Sequence, residues 1–288
     1  MSECCLCGAS SATVQAKPIN GLPADVACCD ACRLAIKQRL AGVVRRADGR
    51  LHKTDARKAD VEPYYQDSHV TLYHGDSRDV VSIIGGSWEA VITDPVWPNA
   101  PETVPGWDEH EALIRSLSQL VLGRASRLIV HLSSTSDPRW LVNVPKEWPY
   151  LMSQQLEYAM PSYRGRSMLN DAAYAFGAFP ARKDSPGQVV PGRITCTAPR
   201  DIKQHEHPAA RSYQHVAGLV KWWAGKGPVL DPFAGSGTTL LACKNAGVPV
   251  VGVEREERFC ELIVSRLQQA RMTFELPADD PVRLETGT

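Results

Sequence analysis

The sequence predicts an α/β protein built on a mostly parallel sheet with helices on both faces, preceded by a small cysteine-rich module. Two observations predict the sheet and one predicts the module. From His69 onward, short apolar β-runs alternate with amphipathic helical stretches, the pattern of strands joined by crossover helices. A glycine-rich turn, Asp231-Pro-Phe-Ala-Gly-Ser-Gly-Thr-Thr239, sits between one such strand and the helix that follows it. Six of the nine cysteines fall within the first 32 residues.

The elements follow in order. Ala31 to Leu40 has helical character, and residues 43 to 67 are polar and charged without clear periodicity, which predicts a linker. Val70 to Tyr73, Ala90 to Thr93 and Leu128 to Leu132 read as strands. Leu113, Ile114, Leu117, Leu120 and Val121 share one helical face between the last two. Leu156 to Ala159 and Ala172 to Phe176 are β-like, with Tyr174 and Phe176 as core residues, and Ser185 to Arg193 is a Pro/Gly-rich loop. Val216, Leu219, Val220 and Trp223 form a helix face leading into the strand Val229-Leu230. A helix from about Gly237, a strand Val250 to Val253 and a helix carrying Phe259, Leu262, Ile263 and Leu267 repeat the unit. The boundaries expected are a module over 1–42, a basic linker over 43–67, the main domain over 68–274 and a flexible tail over 275–288.

A chain of 288 residues can bury one substantial core and carry a small appended module. No run approaches the roughly 18 apolar residues of a membrane span, and the N-terminus lacks a charged-then-apolar signal pattern. A cytoplasmic location is expected. The formal net charge is zero, but residues 33 to 58 hold nine Lys or Arg, including Arg45, Arg46, Arg50, Lys53, Arg57 and Lys58, against Asp48 and Asp55. Such a stripe suits a phosphate backbone, and equally a solvated helix and linker.

Cys4-x2-Cys7 and Cys29-x2-Cys32, 21 residues apart, have the spacing of a four-thiolate zinc site in which each pair forms one knuckle. Adjacent Cys5 and Cys28 leave the ligand set open, and the two Cys-x2-Cys pairs point to Cys4, Cys7, Cys29 and Cys32. A structural zinc could hold together a segment too small for its own core. Such a module could serve only as a fold staple, or could also touch DNA or a second copy.

In the glycine turn, the absence of side chains lets the backbone bring its amides against a ligand. It lacks the Gly-Lys-Ser/Thr ending of a phosphate-cradling loop and the third glycine of a dinucleotide fingerprint. One βα unit later the strand ends at Val253-Glu254, where such folds place a carboxylate on ribose hydroxyls. Upstream, Ala90-Val-Ile-Thr-Asp94-Pro95-Val96-Trp97-Pro98 puts an acid, a proline and an aromatic residue at the end of a strand, a site-like position in an open sheet.

The run Val229-Leu-Asp-Pro-Phe-Ala-Gly-Ser-Gly-Thr-Thr-Leu-Leu-Ala, followed by Val251-Gly-Val-Glu254, Cys260 and Arg266-Leu267, closely resembles the cofactor motifs of amino-directed DNA methyltransferases. Asp94 to Trp97 is similar to that family's Asp-Pro-Pro-aromatic loop, Gly75-Asp76 to its Gly-Asp cofactor contact, and His207-Pro208 to its His-Pro segment. The resemblance covers about residues 69 to 270 and implies a Rossmann-like class I methyltransferase sheet that binds S-adenosylmethionine. It implies that Asp76 contacts the cofactor adenine and that His207 lines the pocket. Phe233, Ala234, Gly235, Ser236, Gly237 and Thr238 would wrap the methionine part, Glu254 would bind the ribose, and Asp231 would belong to the same cofactor site. His205 and His207 can also be read as a metal pair.

The implied reaction is methyl transfer to the exocyclic amine of an extruded base in DNA. Such an amine is conjugated with its ring and is a poor nucleophile. The Asp94 carboxylate and the Pro95 carbonyl would accept its two hydrogens while Trp97 stacks on the base. The sequence departs from the family at Val96, where a second proline is usual, and at Ala209-Ala210-Arg211, where Thr and Lys are usual.

The catalytic loop precedes the glycine loop by more than 130 residues, the order of the permuted β-group. The segment at about 150–205 is therefore expected to read the target, through Tyr158 to Arg166 and Arg182-Lys183. Adenine N6 is the expected acceptor. Cytosine N4 and a catalytically weakened DNA-binding protein are the alternatives, and a homodimer is left open.

Overall fold

A computed structural model describes residues 43–45, 51–53, 61–102, 104, 106–133, 135–160, 162–164, 166–181, 189–197 and 211–274. The chain divides into two units, Met1–Asp60 and Val61–Thr288. In the first, β1 (Val43–Arg45) and β2 (Leu51–Lys53) pair antiparallel with Val44 opposite His52, where composition predicts an irregular linker. Val43-Val44-Arg45 and Leu51-His52-Lys53 are runs of three residues without alternation, too short to read as strands from sequence. The cysteine pattern and the Ala31 to Leu40 stretch lie outside the described residues.

The second unit is a nine-stranded sheet. Its strands are β3 (Tyr65–Gln66), β4 (Val70–His74), β5 (Ala90–Thr93), β6 (Arg127–Ser133), β7 (Tyr150–Tyr158), β10 (Asp171–Gly177), β11 (Arg193–Cys196), β12 (Val229–Asp231) and β13 (Val250–Glu254). Their order is β11-β7-β10-β6-β5-β12-β13-β4-β3. β6, β5, β12, β13 and β4 are mutually parallel, whereas β10 runs against β6 and β7, and β3 against β4. The sheet is thus mixed. A separate two-stranded ladder, β8 (Ser162–Arg164) with β9 (Ser167–Leu169), lies in sequence between β7 and β10.

Helices cover both faces. On one side α1 (Ser77–Ile84) and α2 (His110–Val121) bury Val80, Val81, Ile114 and Leu117 with Val91, Leu128 and Val130. On the other, α3 (Tyr213–Trp223), α4 (Thr238–Asn245) and α5 (Glu257–Phe274) bury Leu219, Trp223, Leu240 and Ile263 with Ala90, Ile92 and Ile129. Residues 90, 91 and 92 of β5 alternate between the two cores, as a pleated strand buried on both faces must. The continuous apolar run of that strand follows from its place between β6 and β12.

Two local devices set the loops. Asp76 caps α1 through its Oδ1, which accepts from the Arg78 amide at 2.8 Å. Gly252 lets α4 settle on β13, because a β-carbon there would stand 2.7 Å from Leu240 Cδ2. The chain leaves β5 through α2 toward β6, and leaves the adjacent β12 through α4 toward β13, the opposite way. The carboxyl ends of these two strands therefore form a switch point, and a crevice opens there.

Candidate active site

One cavity of about 260 Å³ occupies that crevice. Its walls include Asp76, Asp94, Trp97, Asp231, Phe233, Ala234, Gly235, Ser236, Thr238 and Glu254. Most of the residues singled out from sequence thus meet in one place. Pro95 and Gly237 are buried and next in sequence to wall residues without lining the cavity themselves; His207 lies outside the described residues.

The glycine turn works through backbone conformation. Gly235 and Gly237 have φ of 52° and 77°, the left-handed region that residues with a β-carbon avoid. At Gly237 such a carbon would also lie 2.8 Å from Ile263 Cγ1. The turn delivers the Gly235 amide to Glu254 Oε2 at 2.7 Å, and the Glu256 amide donates to Glu254 Oε1 at 2.8 Å. Glu254 is therefore held by one amide on each oxygen while it faces the cavity. Burial pushes its carboxyl above the ordinary range, and the backbone amides oppose that shift. The Gly75 amide donates to the Glu254 carbonyl at 2.9 Å, tying the ends of β4 and β13 together.

Asp231 is 3% exposed, and burial pushes its carboxyl up to about 7. Its Oδ1 accepts from the Phe233 amide and from Thr93 Oγ1, each at 3.2 Å. Asp76 is gripped by Arg78, whose side chain donates to Oδ1 at 3.0 Å and to Oδ2 at 2.7 Å. That guanidinium holds the Asp76 carboxyl low.

Beyond Asp94 the loop turns at Trp97, whose carbonyl accepts from the Ala100 amide at 3.0 Å. Ser136 Oγ donates to Asn99 Oδ1 at 2.8 Å and fastens the loop to the segment after β6. Asp94 itself is engaged by Arg211, whose Nε and Nη2 donate to Oδ2 and Oδ1 at 2.6 and 2.8 Å. Arg211 Nη1 also lies 3.5 Å from Asp171 Oδ2, and Tyr158 donates to that same oxygen at 3.2 Å. His131, another wall residue, has Nε2 3.4 Å from Asp171 Oδ2.

Sequence reasoning missed Arg211, Asp171 and His131 as site residues. Arg211 carried a weak signal, as the residue that departs from the family pattern after His-Pro. Asp171 and His131 carried none, since a single polar residue in an apolar strand is ambiguous until the neighbouring strands are known.

An open α/β sheet with a glycine turn, an acidic strand end and an Asp-Pro loop around one crevice defines a methyltransferase-like fold. Two solved structures share it. M1.HpyAVI, solved with SAM, superposes with a TM-score of 0.54 at 21% identity, covering 69% of this chain and 98% of that one. PvuII DNA methyltransferase, described as cytosine-N4-specific, superposes with a TM-score of 0.53 at 13% identity, covering 73% and 96%. Residues 123–265 match the family described as DNA methylase, N6_N4_Mtase. Type II methyltransferase M.ScaI of Streptomyces caespitosus is 25% identical over 276 residues, covering 74% of this chain and 86% of that protein. The chain is a DNA methyltransferase of the N6/N4 class. Among the described residues no helix is long and apolar enough to cross a membrane.

Proposed function

We propose that this chain binds S-adenosylmethionine and methylates the exocyclic amine of a base extruded from DNA, with adenine N6 as acceptor. What carries the proposal is that Asp94 and Trp97 share a cavity with Asp231, Phe233 and Glu254. A flipped base and a methyl donor would therefore meet within one crevice.

The wall chemistry fits the cofactor. Glu254, fixed by two backbone amides, keeps acceptor capacity for a ribose diol. The turn from Phe233 to Thr238 offers an apolar face and backbone amides to the methionine portion, and Asp76 stands at the adenine end. When bound, the cofactor supplies an electrophilic methyl group on a cationic sulfur. Everything else is the work of the protein. The Asp94 carboxylate and the Pro95 carbonyl accept the two amino hydrogens, which draws the nitrogen lone pair out of conjugation. Trp97 stacks on the base and helps offset the cost of extrusion, by about 1 to 3 kcal/mol. The amine nitrogen would take the methyl group from S-adenosylmethionine held there, which would leave as the neutral thioether, and the proton shed by the methylated amine would pass to water. No covalent enzyme intermediate is needed.

Target contact falls to β8 and β9, where Tyr163 and Met168 are cross-strand neighbours that are 69% and 54% exposed. Arg166, in the same segment, is exposed. Arg182-Lys183 lies outside the described residues. At the N-terminus, Cys4, Cys7, Cys29 and Cys32 hold a structural zinc; support for this is their spacing alone.

The experiment is transfer of radiolabelled methyl groups to unmethylated genomic DNA, followed by mapping of the modified bases. N6-methyladenine in a short sequence context is expected. N4-methylcytosine would overturn the choice of base, and cofactor binding without any transfer would favour a weakened DNA-binding protein. Asp94→Ala should abolish transfer while leaving cofactor affinity intact.

A further inference from the structure

Arg211 stands two residues before α3, with a side chain 10% exposed, between carboxylates from two different strands. Asp94 follows β5 and Asp171 opens β10; their side chains are 20% and 0% exposed. The two donors to Asp94, at 2.6 and 2.8 Å, form a planar fork that uses one acceptor site on each oxygen. The third nitrogen points back to Asp171 at 3.5 Å. A guanidinium this far from water persists because carboxylates hold it from both sides.

We propose that Arg211 is the positioning residue of the catalytic loop: anchored at Asp171, it fixes the plane and rotamer of the Asp94 carboxylate so that its remaining acceptor sites face the incoming amine. This role rests on Asp94 acting as the amine acceptor. It also accounts for the loop's tolerance of Val96. A proline there would lock φ, whereas valine leaves that torsion free, so orientation must be imposed from outside the loop. Arg211 imposes it at Asp94, and Ser136 at Asn99.

A competing role is that of a plug. The guanidinium is planar, donates to Asp94 and lies 5.9 Å from the centre of the Trp97 ring, contacts that an extruded base would also make. A plug must leave when the base enters, and its departure would take the guanidinium charge from the fully buried Asp171, which would keep the hydrogen bond from Tyr158 and the nearby His131 ring. The anchored geometry favours positioning, and the two roles predict opposite kinetics.

The test uses the full chain, S-adenosylmethionine and unmethylated genomic DNA. Arg211→Ala and Arg211→Gln should lower kcat by about 10- to 100-fold, the scale of a misplaced reactive group, with cofactor Kd changed less than about 3-fold. Arg211→Lys, a point charge without the fork, should fall between. Adding Val96→Pro to Arg211→Lys should recover part of the lost kcat, which a purely structural defect would not do. Asp171→Asn should lower kcat as well, and should cost little more when Arg211 is already alanine. Wild-type kcat in Arg211→Ala overturns the proposal, and a raised kcat does so in favour of the plug. If the alanine variant does not fold, a wild-type kcat in Arg211→Lys with no response to Val96→Pro overturns it instead. Full activity in Asp94→Ala would refute the role of Asp94 itself, a separate failure.

Discussion

Thr93 Oγ1 donates to Asp231 Oδ1 at 3.2 Å, a buried hydrogen bond that joins the ends of β5 and β12 at the point where the sheet reverses its winding. The Asp94–Trp97 loop starts one residue after Thr93, and the glycine turn follows Asp231. The two halves of the site are thus fastened to each other through a carboxyl group that burial has made reluctant to ionise.

Asp231 makes stability depend on pH. Its folded value of about 7 lies above the ordinary 3.8, so the native state holds the proton more tightly than the unfolded chain. The resulting stability is fully present below about pH 4 and is lost as pH rises through 7. The gap corresponds to at most about 4 kcal/mol. Asp231→Asn keeps the acceptor for Thr93 and removes the titration. In thermal melts the variant should gain on the wild type between about pH 5 and pH 8; parallel curves across that range would show that Asp231 does not titrate there.

Glu254→Gln would place an amide NH2 against one of the two backbone N–H groups that now donate to the carboxylate. The orphaned donor costs stability in the free and the loaded protein alike, and in the loaded protein a ribose hydroxyl also loses a charged acceptor, worth about 1.5 to 3 kcal/mol. Cofactor affinity measured by calorimetry should fall by about 10- to 100-fold. An unchanged Kd would remove Glu254 from the cofactor site.

Tyr163 and Met168 are large, apolar and exposed at neighbouring positions of β8 and β9. Replacing both with alanine should raise KM for DNA by about 10-fold or more, given about 1 to 3 kcal/mol for the lost stacking contact on the Tyr163 ring. Cofactor Kd should stay put. A 2-aminopurine at the target base would report weaker extrusion; equal fluorescence and equal KM would place DNA recognition elsewhere.

Protein purified without chelators should contain one zinc per chain by elemental analysis, and Cys29→Ser should lose it. Cys243 and Cys260 are poor alternative ligands: both are buried, and burial pushes their thiols up, that of Cys260 to about 12. Purified protein free of stoichiometric metal would end the zinc assignment.

The sequence by itself determined the parallel core of the sheet and the two loops at its switch point. Periodicity located β4, β5, β6, β12 and β13, and motif spacing located Asp94, the glycine turn and Glu254, because each of these signals lies within a few consecutive residues. Short elements with no motif beside them escaped: β1, β2, β3, β8 and β9 have two or three residues each, too few for alternation to stand out, whereas the equally short β12 is marked by the glycine turn that follows it. Only the tertiary structure decided that Arg211 reaches Asp94 across 117 positions and that Asp171 backs it from β10. That relationship depends on which strands lie side by side. Strand order is set by packing both faces of the sheet at once, a condition that no local window of sequence contains.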